Sequence, residues 1–220
     1  MIVTIDGPAG AGKSTVARGL AVRLGYLFLD TGAMYRAVTY AVMHGGADLK
    51  NIASRLAVAE RISIELKEDL VLIDGEDVTA LIRAAEVTEN IHYMADDPSV
   101  RALLVERQRA IVRGRNVVTE GRDQGTVVFP DAECKFFLTA SADERARRRQ
   151  AERSVAGEAV SLDEIRTAQD MRDRRDASRP VGALRKAEDA LEVVTDGMTS
   201  TEVVTHLEAL VFQKAKEPNS

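Results

Sequence analysis

GPAGAGKS, Gly7–Ser14, completes the pattern G-x-x-x-x-G-K-[ST], and its flanks decide the fold. Met1–Ile5 before it reads as a short buried strand. Ser14–Leu24 after it carries apolar residues at helical spacing. Strand, glycine-rich turn and helix in that order make a nest for phosphate. Backbone N–H groups point inward, and the helix N-terminus adds the positive end of its dipole. Gly7 and Gly12 let the backbone wrap tightly. Lys13 is placed to reach the β and γ phosphates of a nucleotide, and Ser14 to offer its hydroxyl to Mg²⁺.

The same alternation continues outward from the loop. Leu27–Leu29, Val117-Val118, Lys135–Leu138 and Ala190–Val194 read as strands. Ala33–His44, Asn51–Ala59, Val100–Val112, Ala142–Glu152, Leu162–Arg174 and Thr201–Lys214 read as helices. Pro98 and Gly114 bracket the third of these. Strands alternating with helices predict an α/β fold, a P-loop parallel sheet flanked by helices. The pattern changes over 60–90. Arg61–Leu66 and Leu70–Ile73 alternate polar and apolar residues, Asp74-Gly75 fits a tight turn, and Val78–Ile82 is a third short segment. This predicts a small antiparallel insertion within one domain spanning 1–220. Glu217–Ser220 reads as a disordered tail.

Composition narrows the function. The chain has 220 residues, a formal net charge of -5 and 4% aromatics without Trp. That argues against a general nucleic-acid binder, which is more often basic and supplied with stacking rings. A single cysteine, Cys134, excludes an internal disulfide and fits a reducing compartment. Neither a membrane span nor a signal peptide is read, so the expectation is a soluble cytoplasmic protein. Arginines cluster nonetheless, four within Arg145–Arg149 and four within Arg172–Arg179. Arginine presents a rigid fork to phosphate. With no N/T-K-x-D guanine reader, a small kinase acting on an anionic acceptor remains. A P-loop regulatory or nucleic-acid-binding ATPase is the alternative from another class.

GRDQG at Gly121–Gly125 follows the strand Val117-Val118 and puts an arginine and an aspartate between glycines. Charged groups are placed inside when they are paired or hold something. Together with GPAGAGKST, LDTGAMYRA at Leu29–Ala37, EDV at Glu76–Val78, GRDQGTVVFPDA at Gly121–Ala132 and R-D-x-x-D-x-x-R at Arg172–Arg179, this resembles bacterial cytidylate kinase. The motifs lie at the start, middle and end of the chain, in the family's order.

The resemblance implies a nucleoside monophosphate kinase architecture: a core of 1–59 and 91–220, a monophosphate-binding insertion at about 60–90 and a helical, arginine-bearing lid at about 145–160. It implies transfer of the γ-phosphoryl group of ATP to CMP or dCMP with Mg²⁺, by a monomeric cytoplasmic enzyme. ATP would be held by Gly7, Pro8, Ala9, Gly10, Ala11, Gly12, Lys13, Ser14 and Thr15. Thr31, Arg172 and Asp176 match positions that hold the sugar. Tyr35 and Arg36 close the same corner, Arg36 matching a contact to the acceptor phosphate, as do Arg122 and Arg179. Arg101 and Asp123 match the residues that read cytosine. The ring offers an amino donor at C4 and an acceptor at N3, to which a carboxylate and a guanidinium are complementary.

Lys13, Arg148 and Arg153 are expected to act on the transferring group, with Arg145 and Arg149 as rivals. Phosphoryl transfer runs mainly on positioning and charge, so no aspartate is assigned as a general base. The chain departs from the family at four places. His92 stands where some members carry a serine near the base, and is read as a surface residue. Glu120 replaces an aspartate before GRD and could reach Mg²⁺ through water. Gln124 replaces an apolar residue and is expected to tune packing. Ala183 replaces a proline before the last strand, which bears on local rigidity.

Overall fold

A computed structural model describes residues 1–216 apart from 68, 156 and 158. The expected tail 217–220 therefore lies outside the described residues, as do positions 68 of the insertion and 156 and 158 of the lid. The chain divides into two compact units, 1–28 with 115–220, and 29–114.

The first unit is built on a parallel sheet. Its strands are β1 (Ile2–Asp6), β6 (Val117–Gly121), β7 (Cys134–Thr139) and β8 (Leu191–Val194), and β2 (Leu27–Asp30) begins in the same unit. The order across the sheet is β2-β6-β1-β7-β8. β1 pairs in parallel with β6 on one side and β7 on the other, Asp6 standing opposite Gly121 and Phe137. A strand flanked on both edges and covered on both faces must be nearly all apolar, and Val3 and Ile5 are fully buried.

Helices α1 (Lys13–Leu24) and α9 (Ser200–Lys216) bring Leu20 and Leu207 onto Phe136 and Leu138 in one core. Each such side chain contributes about 1.5–3 kcal/mol by leaving water. Helices α7 (Ala142–Val155) and α8 (Leu162–Ser178) complete the unit, α8 starting from a Ser161/Glu164 capping box.

The second unit holds α2 (Thr31–His44), α3 (Ile52–Arg61), a three-stranded antiparallel sheet of β3 (Ile64–Lys67), β4 (Leu70–Ile73) and β5 (Glu76–Asp77), then α4 (Ala85–Asn90), α5 (His92–Ala95) and α6 (Pro98–Val112). Asp74 and Gly75 both have positive φ, the requirement of the tight hairpin turn that the sequence signals. Val71, Val78 and Ile82 pack on Ala33 and Ala37 of α2.

The third strand is shorter than Val78–Ile82 would suggest and ends before it. The Thr79 hydroxyl accepts the Val71 N–H at 2.9 Å and donates to Asp77 at 2.5 Å, which closes a local turn. A 3-10 turn at Leu81–Arg83 follows. Helix α2 begins two residues earlier than its apolar pattern, because Asp30 caps it through the Ala33 N–H at 2.8 Å.

Candidate active site

The phosphate loop joins β1 to α1. Gly7 (φ 149°), Gly10 (φ 78°) and Gly12 (φ 81°) take conformations that side chains resist. A Cβ on Gly7 would also collide with the Leu138 carbonyl of β7. Gly12 is the N-cap of α1, so the helix starts at Lys13 and its free N–H groups face the loop.

Lys13 is buried, and its Nζ donates to the Pro8 carbonyl at 2.7 Å. Burial pushes its pKa down to about 7. The Arg122 and Arg172 charges push the same way, against Glu120 and Asp6.

Ser14 Oγ donates to Glu120 Oε1 at 2.8 Å, and Glu120 is 5% exposed at the end of β6. A hydroxyl and a carboxylate held together offer the hard oxygen donors that Mg²⁺ takes, with the remaining positions left to water and phosphate. The longer glutamate therefore reaches Ser14 directly.

The GRDQG segment is not a simple turn. β6 runs through Gly121, and Gln124–Val128 forms a single π-helical turn, a feature that often marks functional positions. Its start is tied to the strand that precedes the phosphate loop. Asp6, buried, accepts the Gln124 N–H at 2.9 Å and the Gly125 N–H at 2.8 Å. Burial raises the Asp6 pKa to about 6 despite those two donors, and the nearby Asp123 charge adds to the rise. Gln124 does more than fill space, since its Oε1 accepts the Thr119 hydroxyl at 2.9 Å.

Arg122 Nε donates to Asp176 Oδ2 at 2.8 Å, and Arg179 Nη2 to Asp176 Oδ1 at 2.5 Å. One buried carboxylate on α8 thus gathers two of the expected phosphate-reading arginines. Asp123 is 5% exposed, beside them in sequence.

The arginines expected to form the lid divide. Arg148 donates to Glu144 at 3.0 Å and to Thr195 Oγ1 at 2.9 Å, with Nη1 3.8 Å from the position a Cβ on Gly12 would take. Arg153 is half-buried near the end of α7. Arg149 pairs with Glu152 at 2.8 Å on an outer turn of the helix. Arg145 is buried and pairs with Asp173 of α8.

In the second unit, Thr31 is buried at the first position of α2. Arg36, one turn on, lies 3.6 Å from the capping Asp30, and its Nε is buried without a hydrogen-bond partner. Arg101, 3% exposed on α6, donates to the Ala95 carbonyl at 3.3 Å and lies 5.7 Å from the centre of the Tyr35 ring. Thr31, Tyr35, Arg36 and Arg101 therefore sit on two helices, α2 and α6, with the ring contact joining them. Asp97, the N-cap of α6, is held by Arg55 Nε at 3.0 Å and Nη2 at 2.8 Å, which fixes the turn from which Arg101 projects. His92 is occupied locally, its ring against Tyr93 and its Nδ1 2.8 Å from the Glu89 carbonyl.

Asp6 and the Arg55–Asp97 pair are absent from the motif reading, and Asp173, the first aspartate of R-D-x-x-D-x-x-R, had no role assigned to it. Asp173 had its signal in that motif, and Asp6 had one as the lone carboxylate closing a mostly apolar strand.

The family model described as cytidylate kinase matches residues 3–213. The chain is 52% identical to a cytidylate kinase of Rhodopirellula baltica over 203 residues, covering 92% of this chain and 89% of that protein. It is 44% identical to a cytidylate kinase of Geobacillus sp. (strain WCH70), covering 96% of each. Among solved structures, an uncharacterized protein from Eubacterium ventriosum superposes with a TM-score of 0.55 at 11% identity, over 97% of this chain and 98% of that one. That likeness supports the fold alone.

Proposed function

From the premise that this chain belongs to the cytidylate kinase family, and is therefore a nucleoside monophosphate kinase, we propose that it moves the γ-phosphoryl group of ATP to CMP or dCMP. An oxygen of the acceptor phosphate attacks the γ-phosphorus, the bond to the β–γ bridging oxygen breaks, and ADP leaves with CDP or dCDP. The observation that carries the reading is the buried Lys13 inside a complete phosphate loop, with the Arg122 and Arg172 charges acting on it. Such a concentration of positive charge suits two phosphates that must approach each other against their own repulsion.

Gly7–Thr15 is the proposed donor cradle. Ser14, with Glu120, would hold Mg²⁺, which when bound neutralises charge on the donor phosphates. Arg122, Arg179 and Arg36 are assigned to the acceptor phosphate. Thr31, Tyr35, Arg172 and Asp176 are assigned to the sugar corner, and Arg101 and Asp123 to cytosine. Arg148 is the favoured lid arginine, because its Nη1 lies 3.8 Å from the position a Cβ on Gly12 would take, whereas Arg145 is committed to the Ala9 carbonyl and Asp173; Arg153 is kept beside it. The acceptor phosphate is already largely ionised near neutral pH, so transfer proceeds without a dedicated base.

The domain reading is proposed in the same terms: core 1–59 and 91–220, monophosphate-binding insertion at about 60–90, lid at about 145–160. No helix among the described residues is long and apolar enough to cross a membrane. A cytoplasmic monomer without nucleic-acid partners is the proposed setting.

A coupled assay for ADP with CMP, dCMP, UMP, AMP and GMP as acceptors tests the function. CMP and dCMP are expected to be turned over best. Faster turnover of UMP or AMP, or no ADP formed with CMP, would refute it.

A further inference from the structure

We propose that Asp173 and Arg145 form a latch that positions the phosphate loop, and that both are positioning residues for the nucleoside triphosphate. The latch closes around one residue, Ala9, the third of the loop. The Ala9 N–H donates to Asp173 Oδ1 at 2.9 Å, and the Ala9 carbonyl accepts from Arg145 Nη1 at 2.8 Å. The same Nη1 donates to Asp173 Oδ2 at 2.5 Å, which closes the ring. Both polar groups of one loop residue are thereby held by two side chains that hold each other.

The two side chains come from different helices, Arg145 from the first turn of α7 and Asp173 from α8. Gln169, one turn before Asp173, donates to the Arg145 carbonyl at 3.2 Å, and its amide fills the space a side chain on Gly10 would need. The pair is largely withdrawn from water, the side chains being 9% and 17% exposed, so its attraction is weakly screened.

This arrangement removes Arg145 from the rivals for phosphate contact. Its guanidinium is committed to the loop backbone instead. Fixing the Ala9 peptide fixes the direction from which the chain enters Gly10–Lys13, whose N–H groups must converge on phosphate. Preorganised donors act without reorganising when the anion arrives, and a displaced loop loses that advantage.

The latch also connects machinery on either side. Arg148 lies three residues beyond Arg145 on α7, and Arg172 is adjacent to Asp173 on α8. A movement of either helix would therefore be felt at the loop.

The inference rests on the donor half of the proposed function and not on the identity of the acceptor. Calorimetric binding of ATP without acceptor, at 20 °C, tests it in full-length Asp173→Asn, Arg145→Gln and the double variant, with binding of CMP as the reference. Each single change should weaken ATP about tenfold, the double change no more than either single, and CMP should shift less than about twofold. The non-additivity is the signature of a shared ring, which general loosening would not produce. Folding is checked by circular dichroism. Should Asp173→Asn fail to fold, Arg145→Lys replaces it, keeping the charge while losing the planar fork, and should weaken ATP severalfold. Unchanged ATP affinity in folded variants, additive losses, or equal losses for ATP and CMP would each overturn the latch. Wild-type protein that binds ATP but fails to phosphorylate CMP would sink the acceptor assignment and leave the latch standing.

Discussion

ATP binding should draw a proton onto Lys13. In the ligand-free protein its ammonium is buried, and Arg122 and Arg172 oppose its charge more than Glu120 and Asp6 support it, so it titrates near 7. A polyphosphate in the loop reverses that balance, and the pKa should return towards the 10.5 of an ordinary lysine. At pH 8 a group with pKa near 7 is about 90% neutral, so saturation should take up about 0.9 of a proton. At pH 6 the lysine is already charged, and uptake should fall to about 0.1. Titration calorimetry in two buffers of different ionisation enthalpy reads the number directly, and Lys13→Met, measured in parallel, subtracts the nucleotide's own ionisation. Arg122→Ala removes one of the charges that depress the pKa, so its uptake at pH 8 should be smaller than wild type. Wild-type protein that takes up no more protons than Lys13→Met at pH 8 would show that Lys13 is charged before ATP arrives, and the reasoning would fail.

Asp123→Ala should reduce the ratio of kcat/KM for CMP over UMP by about ten- to a hundredfold, since a good base-edge contact is worth about 1–3 kcal/mol. An unchanged ratio would leave Asp123 as a turn residue. Arg122→Ala should weaken both acceptors alike. Hydrogen exchange over Ala142–Val155 should slow when ATP and CMP analogues are bound together, and unaltered exchange despite proven binding would exclude closure of α7 on the substrates. Asp6 has a folded pKa of about 6, above the 3.8 of a free aspartate. Its contribution to stability is therefore full below about pH 4 and is lost as pH rises through 6. Urea unfolding of wild type and Asp6→Asn at pH 4.5 and 7 should show the wild type relatively more stable at the lower pH; a difference independent of pH would contradict the burial.

The phosphate loop was legible in the sequence because everything it needs is local: glycines for positive φ, a lysine, a hydroxyl, and a helix to follow. Helix α6 was legible for the same reason, with Pro98 near its start and Gly114 just past its end. So was the Asp74-Gly75 hairpin. What stayed hidden depends on register. Asp6 meets Gln124 across 118 residues, and that meeting exists only because Asp6 stands opposite Gly121 in the β1–β6 ladder. Arg145 read as a rival for the transferring group, since nothing in the local pattern distinguishes a guanidinium aimed at phosphate from one aimed at Ala9. The π-helical turn at Gln124–Val128 has no residue preference that could announce it, and its first two N–H groups are held by the distant Asp6.

Asp176 keeps Arg122 and Arg179 together, and that makes the proposed acceptor corner answer to a whole nucleotide. Two guanidinium groups alone would repel each other and would capture any passing sulfate or inorganic phosphate. With a carboxylate in residence, a bare anion must compete with it for both arginines and offers it nothing in exchange. A nucleotide brings sugar hydroxyls as well, donors that the carboxylate can accept while the phosphate takes up the arginines. The corner then trades partners without leaving a charge stranded. Discrimination against the small anions of the cell would thus be written into the resting state of the site, before any base is read.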